Sequence, residues 1–353
     1  MSPLPMNANA LDSTVGALLA PGKGILAADE SLPTIGKRFA ELGIPSSGEN
    51  RRAYREMLFT APGLGGSISG VILFDETIRQ ATAKGEPFAE ILAGQGIVPG
   101  IKVDEGTAPL PAFDNEKVTL GLDRLRGRLA EYWKLGARFT KWRAVITIGK
   151  GIPSDACIHA NAGALALFAA LSQEAGLVPI VEPEILMDGD HTLADCEGVA
   201  GALLRSVFDT LLGRRVLLER MLLKTGMVLP GKACPRQAGN PEVAEATLRC
   251  FRRVVPAAVP GIVFLSGGQS EVDATRRLNA IAKAAGGPWR LTFSFGRALQ
   301  DSAMRAWGGS DARSGAAQAA LLHRAACNGL AVQGAYTDQA EEGTAGARPR
   351  KGP

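Results

Sequence analysis

The sequence predicts an α/β protein built as a single-domain, eight-stranded parallel (β/α)8 barrel of the TIM type. Three observations predict it: eight short apolar runs recur through the 353 residues, helix-period stretches separate most of them, and the runs end in charged, hydroxyl or glycine residues. Strands that are apolar on both faces belong to parallel sheets covered by helices, and eight alternating units favour closure into a barrel over an open doubly wound sheet. No GxGxxG or GxxxxGK[ST] follows the first run, which weakens the nucleotide-binding alternative. A rule of roughly 150 residues per domain would cut the chain in two, but barrels routinely exceed that length as one unit, and no internal repeat or low-complexity linker divides this one. The expected division is an N-terminal arm and leader helix over 1–20, the barrel over 21–336 and a flexible tail over 337–353.

The elements follow in order. A short helix over 13–19 is broken by Gly22-Lys23-Gly24, and Ile25-Leu26-Ala27-Ala28 is the first buried run, ending on Asp29. Helical patterns at 34–42 and 50–59 precede Gly70-Val71-Ile72-Leu73-Phe74, which ends in Asp75-Glu76. The third run, 97–101, leads into Lys102-Val103-Asp104. A charged amphipathic helix is expected over 119–135, then a strand over 137–145 carrying Lys141-Trp142-Arg143. The alanine-rich stretch 156–174 has helical spacing, and Leu177-Val178-Pro179-Ile180-Val181 delivers Glu182-Pro183-Glu184. A long helix over 192–212 is followed by the strand ending in Lys224, and Asn240-Pro241 is a sound helix start with proline in the first turn. Gly261-Ile262-Val263-Phe264-Leu265 ends in Ser266-Gly267-Gly268, a helix covers 270–285, and the run 289–293 ends in Ser294-Phe295-Gly296-Arg297 before two closing helices.

Composition narrows the chemistry. Hydrophobic residues make up 46% of the chain and the net charge is +4, enough apolar material for a large core and too mild a charge for a nucleic-acid footprint. The five cysteines are scattered and never form a CxxC pair, so neither a disulfide framework nor a zinc site is expected. With three histidines in no HExxH or HxH pattern, no histidine metal site is expected; His159 and His323 read as structural, and His191 as a loop residue ahead of a helix. The N-terminus lacks basic residues and a long apolar core, and no run reaches the ~18 apolar residues of a membrane span. A cytoplasmic protein with no membrane and no nucleic-acid partner is the expectation.

Residues two apart in a strand share a face, so Lys102 and Asp104, Lys141 and Arg143, and Glu182 and Glu184 are three same-face charged pairs. With Asp29 and Lys224 they give four positive and four negative groups at the ends of five strands. A barrel gathers its C-terminal strand ends around one mouth, where such charges can compensate one another. Two lysines brought close in a partly dry mouth repel, which leaves one amine free to attack a carbonyl. Ser266-Gly267-Gly268 and Gly296-Arg297, after the seventh and eighth runs, form the usual phosphate position of a barrel, with glycine N–H groups, a hydroxyl and a planar cation.

Longer stretches carry a resemblance. Gly24-Ile25-Leu26-Ala27-Ala28-Asp29-Glu30-Ser31, Gly100-Ile101-Lys102-Val103-Asp104, Lys141-Trp142-Arg143, the run from Val178 to Leu186, Leu222-Leu223-Lys224, the run from Phe264 to Ser270, and Ala306-Trp307-Gly308-Gly309 stand in the order and wording of one family. Over roughly residues 20–336 the chain closely resembles class I fructose-bisphosphate aldolase. The resemblance implies a metal-free, cofactor-free lyase that reversibly cleaves fructose 1,6-bisphosphate to dihydroxyacetone phosphate and glyceraldehyde 3-phosphate, in glycolysis and gluconeogenesis. It implies a Schiff base on Lys224, proton transfer by Glu182, removal of the C4 hydroxyl proton by Asp29, and Lys141 keeping the amine reactive. Ser266, Gly267, Gly268, Ser294, Gly296 and Arg297 would hold one phosphate, while Lys102, Arg143, Arg38, Arg51 and Thr34 assist with the substrate or its other phosphate. It also implies a homotetramer.

The chain departs from the family's wording at four places. Pro33 and Thr34 stand where the family has glycine and serine, Thr225-Gly226 replaces proline and asparagine, and Phe295 replaces a common tyrosine. The animal members end in a tyrosine that assists proton exchange on the enamine, whereas this chain ends Arg350-Lys351-Gly352-Pro353 and its last tyrosine is Tyr336. Slow enamine protonation or a substitute proton carrier is therefore expected. The alternatives to this reading are a Schiff-base aldolase for another phosphorylated ketose, such as tagatose 1,6-bisphosphate, and a scaffold that uses the same fold to bind acidic partners.

Overall fold

Runs that are buried on both faces need partners on both sides, and the chain supplies them by alternation. The computed structural model describes residues 8–342. In chain order the strands are β1 (Gly24–Ala28), β2 (Ile68–Leu73), β3 (Val98–Lys102), β4 (Thr107–Pro109), β5 (Lys117–Thr119), β6 (Phe139–Ile146), β7 (Val178–Ile185), β8 (Leu222–Thr225), β9 (Gly261–Phe264) and β10 (Arg290–Phe295). Eight of them close into a parallel barrel in the order β1-β10-β9-β8-β7-β6-β3-β2, and β4 and β5 form a separate antiparallel pair. Helices such as Asp155–Glu174, between β6 and β7, cover the outside. That helix is long and apolar enough to cross a membrane by length and composition alone, yet it is packed against β6, β7 and the helix Leu193–Gly213. Hydroxyl caps fix where the outer helices start: Ser154 accepts from Cys157 N, and Thr192 closes a capping box with Asp195.

The barrel has two cores, because successive side chains point to opposite faces of each strand. The outer one lies between strands and helices and includes Leu26, Leu73, Trp142 and Phe264. The inner one joins Ile25, Ala27, Ile72, Phe139, Val178, Ile180, Leu222 and Val263 with Leu11, Val15, Leu18 and Leu19 of the N-terminal segment. The leader helix, Ala8–Leu18, is thus a plug in the N-terminal end of the barrel. Gly100 is required by this inner core: a Cβ there would lie 2.2 Å from the ring of Phe139. With one end filled by hydrocarbon, the polar strand ends collect at the other.

Three expectations are corrected. The leader helix begins at Ala8 rather than 13. The amphipathic pattern over 119–135 divides into β5 and a helix over Leu125–Lys134, because Gly121 takes φ 120° and Arg124 φ 57°, which no helix tolerates. Within the stretch expected as an unstructured tail, Gln339–Glu342 is helical, and Glu341 there is held by Arg324 and by the Tyr336 hydroxyl; residues 343–353 lie outside the described residues.

Removing the ring of the fully buried Phe139 empties the centre of the plug. Phe139→Ala is expected to destabilise the fold by about 3–5 kcal/mol in urea unfolding. A loss below about 1 kcal/mol would show that the inner core carries little of the stability.

Candidate active site

The same two-residue alternation that builds the inner core builds the site above it. Ile25 and Ala27 continue inward to Asp29, Gly100 to Lys102 and Asp104, Phe139 to Lys141 and Arg143, Ile180 to Glu182 and Glu184, and Leu222 to Lys224. The parallel registers Gly100↔Phe139, Lys102↔Lys141, Arg143↔Glu182 and Ile180↔Leu222 set these side chains at neighbouring positions around the mouth. All eight expected charges are brought together, and each positive group has a negative one. Lys224 Nζ lies 3.1 Å from Glu182 Oε1, Lys141 Nζ 2.7 Å from Asp29 Oδ2, and Lys102 Nζ 2.6 Å from Asp104 Oδ1. Arg143 Nε donates to Glu184 Oε2.

Glu182 is the joint between the two central lysines. Its Oε1 faces Lys224 and its Oε2 lies 3.3 Å from Lys141 Nζ, while all three residues are at most 4% exposed. Beyond that ion pair with Lys141, the buried Oε2 accepts no hydrogen bond among the described residues. Asp104, a further 3.9 Å from Lys141, also accepts from the backbone N–H of Arg143 at 3.2 Å. The β4–β5 hairpin, which the sequence pattern hid, contributes Thr119, whose hydroxyl donates to Arg143 O at 2.8 Å.

Electrostatics fix the charge of Lys141. Burial by itself would lower the pKa of Lys141, but Asp29, then Glu182, then Asp104 and the hydrogen bond to Asp29 outweigh it and hold the ammonium well above the ordinary lysine value. Lys141 is therefore the permanent cation. Burial by itself would raise Asp29, but Lys141, then Lys224, the Lys141 hydrogen bond and Lys102 bring it down to about 2. Burial lowers and Glu184 raises Arg143, with the net shift upward.

On the opposite side of the mouth, β9 runs into Ser266, Gly267 and Gly268, the two glycines at φ 56° and 84°. Successive N–H groups in such left-handed turns form an anion-holding concavity. The helix Arg297–Trp307 starts directly after β10 with Gly296 as its N-cap and no side-chain cap, and exposed Arg297 is its first residue. Ser294 pairs in register with inward-facing Ile25, and its buried hydroxyl has no hydrogen-bond partner among the described residues.

The family model described as "Fructose-bisphosphate aldolase class-I" matches the chain over residues 10–349. The chain belongs to that family. The probable fructose-bisphosphate aldolase class 1 of Xanthomonas campestris pv. campestris is 54% identical over 94% of this chain and 99% of its own length. The cytosolic fructose-bisphosphate aldolase 5 of Arabidopsis thaliana is 52% identical over 94% of this chain and 92% of its own length. The fructose-bisphosphate aldolase of Plasmodium falciparum, solved as a ternary complex with TRAP and a small-molecule inhibitor, superposes with a TM-score of 0.93 at 48% identity, covering 95% of this chain and 97% of that one.

Not every residue that the family wording points to is placed as expected. Arg38 is buried and donates to Glu30 and, at 2.8 Å, to Asp301, while Arg55 also holds Glu30 at 2.6 Å. Arg51 is bidentate on Glu76, at 2.5 and 2.8 Å. Both guanidinium groups are matched by carboxylates, as Lys102 and Arg143 are by Asp104 and Glu184. Thr34 is exposed at the rim, its hydroxyl 3.0 Å from that of Ser31. Tyr336 is no substitute for a terminal tyrosine, since it is 3% exposed and its hydroxyl donates to Glu341 at 2.6 Å. His191 is buried with both ring nitrogens unpartnered among the described residues. The cluster His323, Cys327 and Glu341 lies between the last two helices, and its carboxylate is engaged by Arg324 and Tyr336.

Because the folded pKa of Asp29 lies below its unfolded value of 3.8, the stabilisation it contributes is present above pH 4 and lost as pH falls toward 2. A shift of that size corresponds to roughly 2 kcal/mol. Urea unfolding free energies measured from pH 4 to pH 2 should fall less steeply in Asp29→Asn than in the wild type; parallel curves would contradict the placement of Asp29 against Lys141.

Proposed function

We propose that this chain is a class I fructose-bisphosphate aldolase acting in the cytoplasm, with Lys224 as the Schiff-base lysine and no metal in its mechanism. The observation that carries the reading is the position of Glu182, in contact with Lys224 on one oxygen and Lys141 on the other. In the cleavage direction the Lys224 amine adds to the C2 carbonyl of the open-chain ketose, forming the C–N bond. Glu182 takes the proton that the Lys224 ammonium must lose to become that amine, and returns it to the carbinolamine hydroxyl, which leaves as water. The iminium then accepts the electron pair of the C3–C4 bond while the C4 hydroxyl gives its proton to Asp29, which its pairing with Lys141 keeps ionised. Lys141 stays charged throughout and balances the carboxylates on either side of it. Ser266, Gly267, Gly268, Ser294, Gly296 and Arg297 hold one phosphate; Lys102 and Arg143, at the opposite rim, serve the substrate's other end.

Five unpaired cysteines, all buried, suit a reducing compartment. A homotetramer is also proposed: Phe113, Leu120, Trp133 and Leu212 are large apolar side chains left 38–55% exposed, and assembly would cover such surface. Light scattering should return four times the chain mass; a monomer would remove this part of the reading.

The central test is cleavage of fructose 1,6-bisphosphate in an assay coupled to triose phosphate release, run with and without a chelator. Activity that survives chelation, and that falls by roughly 10²–10⁴-fold in Glu182→Gln, is expected for proton transfer by this carboxylate. Chelator-sensitive activity, or a Glu182→Gln enzyme as fast as wild type, would overturn the assignment.

A further inference from the structure

The loop after β8 places a second cation beside Arg297. Resting on the phosphate site proposed above, we infer that Lys232 is a direct ligand of the phosphate held by the glycine turn and Arg297, and sets how tightly this enzyme binds the phosphorylated ketose. A Cβ built on Gly268 would stand 3.1 Å from Lys232 Nζ and 3.3 Å from Arg297 Nη2. Both positive groups therefore close over the same bare glycine, whose φ is 84°.

Two like charges are drawn to one spot at a cost, and the backbone shows what holds them there. Gly231 N donates to His191 O at 2.8 Å, Lys232 N to Met187 O at 2.8 Å and Ala233 N to Gly189 O at 2.9 Å, so the loop after β8 is laced to the loop after β7. The apposition requires Gly231, where any Cβ would meet Gly189 O at 2.3 Å. The root of Lys232 is thereby fixed, and its stem reaches over Gly268. Met187 also lines this place, with its sulfur 3.7 Å from the Cβ position of Gly267.

The carboxylate near Lys232 is Asp188, 3.6 Å away, in a pair whose side chains are 52% and 73% exposed. Such exposed pairs contribute little and yield easily to a stronger anion. Arg297 makes no ion pair among the described residues, so nothing there neutralises it. A phosphate dianion between the two nitrogens, backed by the N–H groups of the glycine turn and the start of the helix Arg297–Trp307, satisfies both cations.

Inorganic phosphate titrated into the full chain by calorimetry tests this, alongside Lys232→Ala, Lys232→Arg and Arg297→Ala, each first shown by circular dichroism to unfold near the wild-type temperature. Lys232→Ala should weaken phosphate about 5- to 20-fold, Lys232→Arg should recover most of that, and the KM for the bisphosphate should rise in parallel with the phosphate dissociation constant. If Arg297→Ala weakens binding and Lys232→Ala does not, the phosphate site stands and Lys232 is not part of it. If neither substitution changes phosphate affinity, the site itself is misplaced and the inference fails with it.

Discussion

The ion pair between Glu182 and Lys224 is the interaction on which the rest of the molecule depends. A lysine 4% exposed at the end of an apolar strand is stable only with a carboxylate at contact distance. Glu182 supplies it from the neighbouring strand, and in doing so brings its second oxygen to Lys141. That second ammonium needs a partner of its own, which Asp29 provides across the mouth. Lys102 with Asp104 and Arg143 with Glu184 complete the ring. The hydrocarbon plug below makes this arrangement possible, because the leader helix fills the N-terminal end and leaves one open end for every inward-facing charge.

Within the ring, identical side chains acquire different chemistry from their neighbours alone. Lys141 meets three carboxylates and is locked as an ammonium, whereas Lys224 meets one, and shares it. Asp29, brought down to about 2 against the effect of burial by Lys141, Lys224 and Lys102, is ionised across the neutral range. On the other side of the mouth Arg297 makes no ion pair among the described residues, and Lys232 faces only the exposed carboxylate of Asp188.

Much of this was legible in the sequence because strand periodicity is local. Once 25–28, 97–101, 177–181 and the run before Lys224 are read as strands, the two-residue spacing itself places Asp29, Lys102, Asp104, Glu182 and Glu184 on the inner face, and the structure joins them. What stayed hidden depends on contacts between distant segments. The pattern over 119–135 looked helical throughout, yet Gly121 folds the chain back against Glu105, with 2.9 Å between the position of a Cβ and the Glu105 N–H. Arg38 and Arg51 sit in family wording that suggests phosphate, but they also pair with Glu30, eight residues away, and Glu76, 25 residues away, and no spacing rule reveals either pairing. Lys232 gave no signal beyond a lysine after Pro230-Gly231, since its position is set by the lacing of two loops.

Which of two buried lysines captures the ketone is the most direct question the ring poses. Borohydride reduction in the presence of dihydroxyacetone phosphate, followed by peptide mass mapping, answers it at the level of a single nitrogen. A reduced three-carbon phosphate adduct on Lys224 and none on Lys141 is the result that the charge distribution requires. An adduct on Lys141, or fully active enzyme with Lys224 unlabelled, would contradict the division of roles set by Glu182.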